Sequence, residues 1–280
     1  RKMLFEFSNN KEDQKIYNPE FDTSDIMYGI SMMPSIENIK SMQVHSNNCN
    51  NSEFALFLSL DCFVRESFEI KFHLEKKSFL EAPILDSHKN LKKFDLITAL
   101  PILYSEENFN KKKMRNLRDL LTVRVGDLSE YRSFIYSFLL SSLNDDGVLN
   151  MIAPYSFLTA GKSDLRKHLV ENDILFHVEN LPMNVITGRA LDAAFVSINM
   201  RKSREIKDMT VFRFDRESKK HLVSNQKIAN NKYNLSVSQY VTAASSLPKE
   251  NLNILLERLD RINSEIASRV YDIKASIKKE

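Results

Sequence analysis

The chain has 280 residues, 42% of them hydrophobic, and its 40 basic and 37 acidic residues leave a formal charge of only +3. That length and apolar content can bury one sizeable α/β core plus an appendage, and the near-balance of charge excludes a nucleic-acid binder that works through net charge, leaving that task to a local patch. Two cysteines, Cys49 and Cys62, match no metal spacing or disulfide framework, no apolar run reaches the roughly 18 residues of a membrane helix, and the first residues lack a signal peptide's basic and apolar order. A soluble, cytoplasmic protein without a membrane partner is expected.

Residues 15 to 24, KIYNPEFDTS, read as a short strand ending in Asn-Pro. A second strand is expected at 26 to 32, IMYGISM, followed by a helix from Ser35 to His45, where Ile36, Ile39, Met42 and Val44 approach a helical period. Residues 46 to 53 are rich in Asn and Ser and read as a loop, 54 to 60 as a strand or short helix, and 68 to 74 as an alternating strand. Phe94 to Tyr104, FDLITALPILY, begins as an apolar run fit for a strand buried on both faces. Pro101 stops its pairing for want of an N–H. In open α/β sheets ligands lie outside the strands' carboxyl edge, so residues 100 to 104 are the first place to expect chemistry.

From 106 to 127 the chain is polar and basic, with Lys111, Lys112, Lys113, Arg115, Arg118 and Arg124. Such a span serves either as a solvated loop and helix face or as a surface that neutralises phosphates. A helix is expected over 131 to 143, stopped by Asn144-Asp145-Asp146-Gly147, then a helix from Ser163 to Glu171 capped by Ser163, and strands at 174 to 180 and 193 to 200. The alternation of strand runs and helix patterns implies a doubly wound, mostly parallel sheet with the strand at 94 to 99 in its interior. The histidines at 45, 73, 88, 168, 177 and 221 are too scattered for a ligand set and are expected on the surface or in the core. After Pro248 a long helix is expected to about 277, with Leu252, Leu259, Ile266 and Ile273 recurring every seven residues and Leu255, Leu256, Ile262, Val270 and Ile277 widening the stripe. Such a helix either packs on its own domain or meets the helices of a second subunit. The organisation expected is an α/β domain at 1 to 215, a linker and terminal segment at 216 to 247, and an amphipathic helix at 248 to 280.

FDLITALPILY resembles the catalytic motif of the adenine-N6 DNA methyltransferases, F-D-[LV]-I-x-A-N-P-P-[FY]. Phe94, Asp95, Leu96, Ile97, Ala99 and Pro101 match it, whereas Leu100 replaces the asparagine, Ile102 the second proline and Leu103 the aromatic residue, with Tyr104 one place late. The resemblance implies a Rossmann-like class I methyltransferase fold and a catalytic edge at 100 to 104. It also assigns a cofactor turn, V-Y-D-P-x-C-G-S-G, to Tyr17, Asn18, Pro19 and the positions of Asp22 and Ser24. Asn18 stands there for the aspartate, and no glycine remains in the turn. Ser31 falls where the family's Y-G-x-E strand carries its ribose-binding acid, and Lys77 where an aspartate would grip the cofactor's adenine. Further on, Gly147, Ile152, Pro154 and Phe157 follow the family pattern G-x-x-x-x-[VI]-x-P-x-x-[FL], LRKHL follows L-R-[KR]-x-L, and Tyr233 to Val241, YNLSVSQYV, looks like Y-N-L-[NS]-x-x-[RK]-Y-[VI] of the type I modification subunits.

The resemblance therefore implies a methyltransferase framework whose site chemistry has been replaced. A leucine offers no acceptor to the target amine, and an unpaired polar group in a closed pocket costs about 1–3 kcal/mol. One reading is a catalytically inactive scaffold or subunit of a restriction-modification-type complex. It would bind no cofactor, meet a specificity or methyltransferase subunit or a second copy through Leu252, Leu255, Leu259, Ile262, Ile266 and Ile273, and touch DNA through Lys111 to Lys113, Arg115 and Arg118. The other is an active DNA adenine-N6 methyltransferase with a divergent site, using S-adenosylmethionine.

Overall fold

The Asp-Leu-Ile-Thr run forms β4 (Phe94–Ala99), with β1 (Gln14–Asn18) on one side and β5 (Leu143–Pro154) on the other, both parallel to it. The computed structural model describes residues 14–19, 39–45, 71–75, 77, 79–100, 111–159, 163–181, 192–202, 206–214 and 219–241. Beyond β1 lie β2 (Ile39–His45) and β3 (Lys71–Glu75); beyond β5 lie β7 (Ala193–Asn199), β6 (Leu175–Asn180), β8 (Met209–Arg213) and β9 (His221–Ser224). One nine-stranded sheet results, in the order β3-β2-β1-β4-β5-β7-β6-β8-β9. Only β7, against both its neighbours, and β9, against β8, run antiparallel. The fold is α/β with a mostly parallel sheet and β4 in its interior, as the strand pattern implies.

Asp95 fixes the register at the amino end of β4. Its carboxylate accepts from the Lys15 backbone N–H (2.9 Å) and from Asn144 Nδ2 (2.7 Å), joining β4 to both neighbours. On the β5 side Phe94 pairs with Leu143 but Leu96 with Val148. Asn144-Asp145-Asp146-Gly147, expected as a turn, is therefore an irregularity inside β5 itself. Gly147 is needed there because a Cβ would stand 2.9 Å from the Phe94 carbonyl oxygen.

Among the described residues the α-helices are α1 (Lys111–Arg118), α2 (Tyr131–Ser141), α3 (Ser156–Thr159), α4 (Asp164–Glu171) and α5 (Asn225–Asn230). Phe134, Phe138 and Leu139 of α2, Leu169 of α4 and Ile228 of α5 join Ile97, Leu149, Met151, Val178 and Val196 of the sheet in one core. Two serines in the buried run of α2 have partners, as burial demands: Ser137 and Ser141 accept from the backbone N–H groups of Val125 and Val123, both at 2.9 Å, and so pin the loop that follows α1.

Three expectations are corrected. The helix expected at 35 to 45 is the strand β2 over residues 39 to 45, paired with β1 from Gln14↔Ile39 to Asn18↔Val44. Paired on both sides, β2 need not alternate, and the three-residue spacing of Ile36, Ile39 and Met42 mimics a helix. Ser163 precedes α4 but makes no capping bond; its φ of −83° and ψ of −1° are helical, whereas a capping side chain needs an extended backbone. Residues 221 to 224 and 225 to 230, read as part of a linker, are β9 and α5. Contacts divide the chain into residues 1–241 and 242–280. The strand expected at 26 to 32, the element at 54 to 60 and the terminal helix at 248 to 277 lie outside the described residues.

At the amino side of β6, β8 and α5 the chain is tied by one carboxylate. Asp173 Oδ1 accepts from Lys202 Nζ (2.6 Å) and Asn225 Nδ2 (2.8 Å), and its Oδ2 accepts from the Asp208 N–H (2.9 Å). Lys202 also donates to the Met209 carbonyl, and its side chain is 2% exposed. Burial alone would raise the Asp173 pKa, but the Asp208 amide, Lys202 and Asn225 outweigh it and hold the carboxyl below its ordinary value. Its stabilising effect is thus complete above the unfolded carboxyl's pKa of about 3.9 and is lost as the pH falls through the lower folded value. Asp173→Asn is expected to destabilise the protein by about 3 kcal/mol at neutral pH, because Lys202 is left buried and uncompensated. In urea titrations the difference from the parent should shrink below about pH 4.

Candidate functional site

The expected site lies where β1 and β4 end side by side. Ile16 faces Leu96 and Tyr17 faces Ile97, which brings Asn18 abreast of Thr98. Asn18 Nδ2 donates to Thr98 Oγ1 at 3.2 Å, and both side chains are buried. Tyr17 turns to the opposite face and stacks on Phe94, with ring centroids 4.6 Å apart and planes at 19°. Pro19 is buried just past β1, and Leu100 is half-buried just past β4. Lys77 stands exposed beyond the end of β3.

Asp22, Ser24, Ser31 and Pro101 to Tyr104 lie outside the described residues, but β2 bears on one of them. The strand beside β1 is Ile39–His45, so the residue that ends the second strand is His45. Ser31 precedes that end by 14 residues in the sequence. Of the residues that end β1, β2, β3 and β4, only Glu75 carries a carboxylate. Of the positions that the resemblance assigns to S-adenosylmethionine, Lys77 offers only donors, and Asn18 spends an amide N–H on Thr98 while keeping its Oδ1 as an acceptor.

The pairing registers reveal a feature that sequence reading missed. Thr98 faces Asn150, Asn150 faces Ser197, and Ser197 faces His177. With Asn18 they form a row of polar side chains across five adjacent strands, each at most 1% exposed. Ser197 Oγ donates to Asn150 Oδ1 at 2.7 Å, and His177 Nε2 lies 3.1 Å from Glu179 Oε2, which also has Arg213 Nη1 at 3.8 Å. The alternate residues, Ile97, Leu149, Val196 and Val178, belong to the core with the described helices, so the row faces the other side. His177 is a core histidine, as expected, and its burial removes it from use as an accessible base.

The basic span is partly the helix α1, whose Met114 and Leu117 are buried while Arg115 is exposed. Lys111, Lys112 and Lys113 form its first turn. Arg118 is engaged in part: its Nη2 donates to the Leu128 carbonyl at 2.9 Å. Arg124, likewise, donates to the carbonyls of Leu121 and Arg118.

A family model described as N-6 DNA Methylase matches residues 1–222. The chain belongs to the N-6 DNA methylase family. Solved structures agree in fold. The type I restriction-modification methyltransferase subunit from Streptococcus thermophilus is similar with a TM-score of 0.59 and 16% identity over 86% of this chain and 57% of that one. A chain of a type I restriction-modification system gives 0.59 and 11% over 100% and 65%, and the type IIG restriction endonuclease BpuSI gives 0.54 and 11% over 84% and 30%. The chain thus spans less than two thirds of the length of each. No curated protein sequence matches it.

For a member of the N-6 DNA methylase family, the segments after β5 have an evident structural task. Pro154 ends β5, and the Phe157 ring meets Tyr136 at 5.2 Å. Arg166 of LRKHL is buried; its Nε donates to the Tyr233 carbonyl (2.9 Å) and its Nη1 to the Phe157 carbonyl (3.1 Å). Lys167, by contrast, is exposed beside Glu171. From Tyr233 the tail runs inward: Leu235, Val237 and Val241 are buried, Tyr155 Oη and Ser236 Oγ lie 2.7 Å apart, and Tyr240 packs on Phe212 with centroids 4.5 Å apart. Arg166 therefore joins three family segments. Arg166→Met, which keeps the length and removes both donors, is expected to cost about 2–3 kcal/mol. Hydrogen exchange should quicken at residues 233 to 241 before it does so in β4.

Proposed function

We propose that this chain is a catalytically inactive N-6 DNA methylase that acts as a scaffold or subunit of a restriction-modification-type complex. The observation that carries the reading is Leu100, an apolar, half-buried residue at the end of the central strand where the family's motif has its amine-accepting asparagine. Asn18 held by Thr98, Lys77 beyond β3, and the lack of any glycine in residues 20 to 24 support it. The similarity to type I subunits supports the subunit role. In that role α1 offers Lys111, Lys112, Lys113 and Arg115 for a salt-sensitive contact with DNA that does not depend on sequence. Residues 248 to 277 supply the partner surface.

The decisive measurement is calorimetric titration with S-adenosylmethionine, paired with transfer of a labelled methyl group to adenine-containing DNA. No saturable heat in the micromolar range and no labelled DNA are expected. Saturable binding with transfer would replace this reading with that of an active adenine-N6 methyltransferase.

Partner contact is tested separately. The stripe of nine apolar residues named above runs from Leu252 to Ile277, and burying it at about 25 cal/mol per Å² contributes several kcal/mol, enough to hold a subunit. Leu259→Asp with Ile266→Asp is expected to turn an assembly seen by analytical ultracentrifugation into folded monomers. If the parent is already monomeric and the double variant unfolds, the helix is core.

A further inference from the structure

We draw no further inference here: the strongest candidate, the cavity of about 190 Å³ where β5 ends between the first turns of α2 and α4, carries nothing, because the carboxylates of Glu130 and Asp164 in its lining are matched by Arg132 and Arg166 and its charge therefore selects no class of ligand.

Discussion

A parallel strand paired on both sides and covered on both faces has no polar backbone left to offer, so only its ends can carry chemistry. β4 is such a strand, with Leu96, Ile97, Thr98 and Ala99 at most 1% exposed. Its two ends have different tasks. At the amino end Asp95 closes the pairing with β1 and β5 through the Lys15 N–H and Asn144. At the carboxyl end the chain leaves the sheet at Leu100, and no neighbour depends on that side chain for its register. The motif divides along this line. The part that matches the family, from Phe94 to Ala99, is the part the sheet requires; the part that departs from it begins where the sheet stops.

The polar row across the middle of the sheet follows from the same constraint. Five polar side chains in a buried sheet would be costly singly, since each would surrender its water. Set side by side by the register, Asn18 and Thr98, and Ser197 and Asn150, satisfy one another. A one-residue slip would set polar groups against apolar neighbours and turn every side chain to the opposite face, so the row penalises wrong registers as much as it supports the right one. Asn18 thereby acquires a structural explanation. At the site's edge it is the last member of a row that begins at His177, which accounts for an amide where the family has an acid.

Much of this was legible in the sequence where burial leaves a local mark. β4, β6, β7 and α4 are apolar runs or helical periods bounded by turn residues, and they lie where those patterns imply. β2 was not legible, because a strand buried on both faces has no period of its own, and Ile36, Ile39 and Met42 supplied a false one. β9 and α5 were missed because short elements at a sheet's edge mix exposed and buried positions, and β8 because five residues are too few to show a period. The polar row had a sign: Thr98, Asn150, His177 and Ser197 each interrupt an otherwise apolar strand. What no single stretch could reveal is that registers set by four different pairings bring those interruptions into line.

Arg166 carries the argument furthest from the motif that first suggested a methyltransferase. It lies on the wall of the cavity at the end of β5, and its guanidinium holds the carbonyls of Phe157 and Tyr233. The P-x-x-F, L-R-K and Y-N-L segments are thus parts of one hydrogen-bonded assembly on the helical side of the sheet. Whatever β4 does at its carboxyl end, dismantling that assembly gains nothing, because each buried carbonyl left without its donor carries a full desolvation penalty. The resemblance is therefore expected to persist in 147 to 241 and to fail at the carboxyl edge of β1 and β4. Side chains that act only on a ligand can change without cost to the fold, whereas those that satisfy one another inside it cannot.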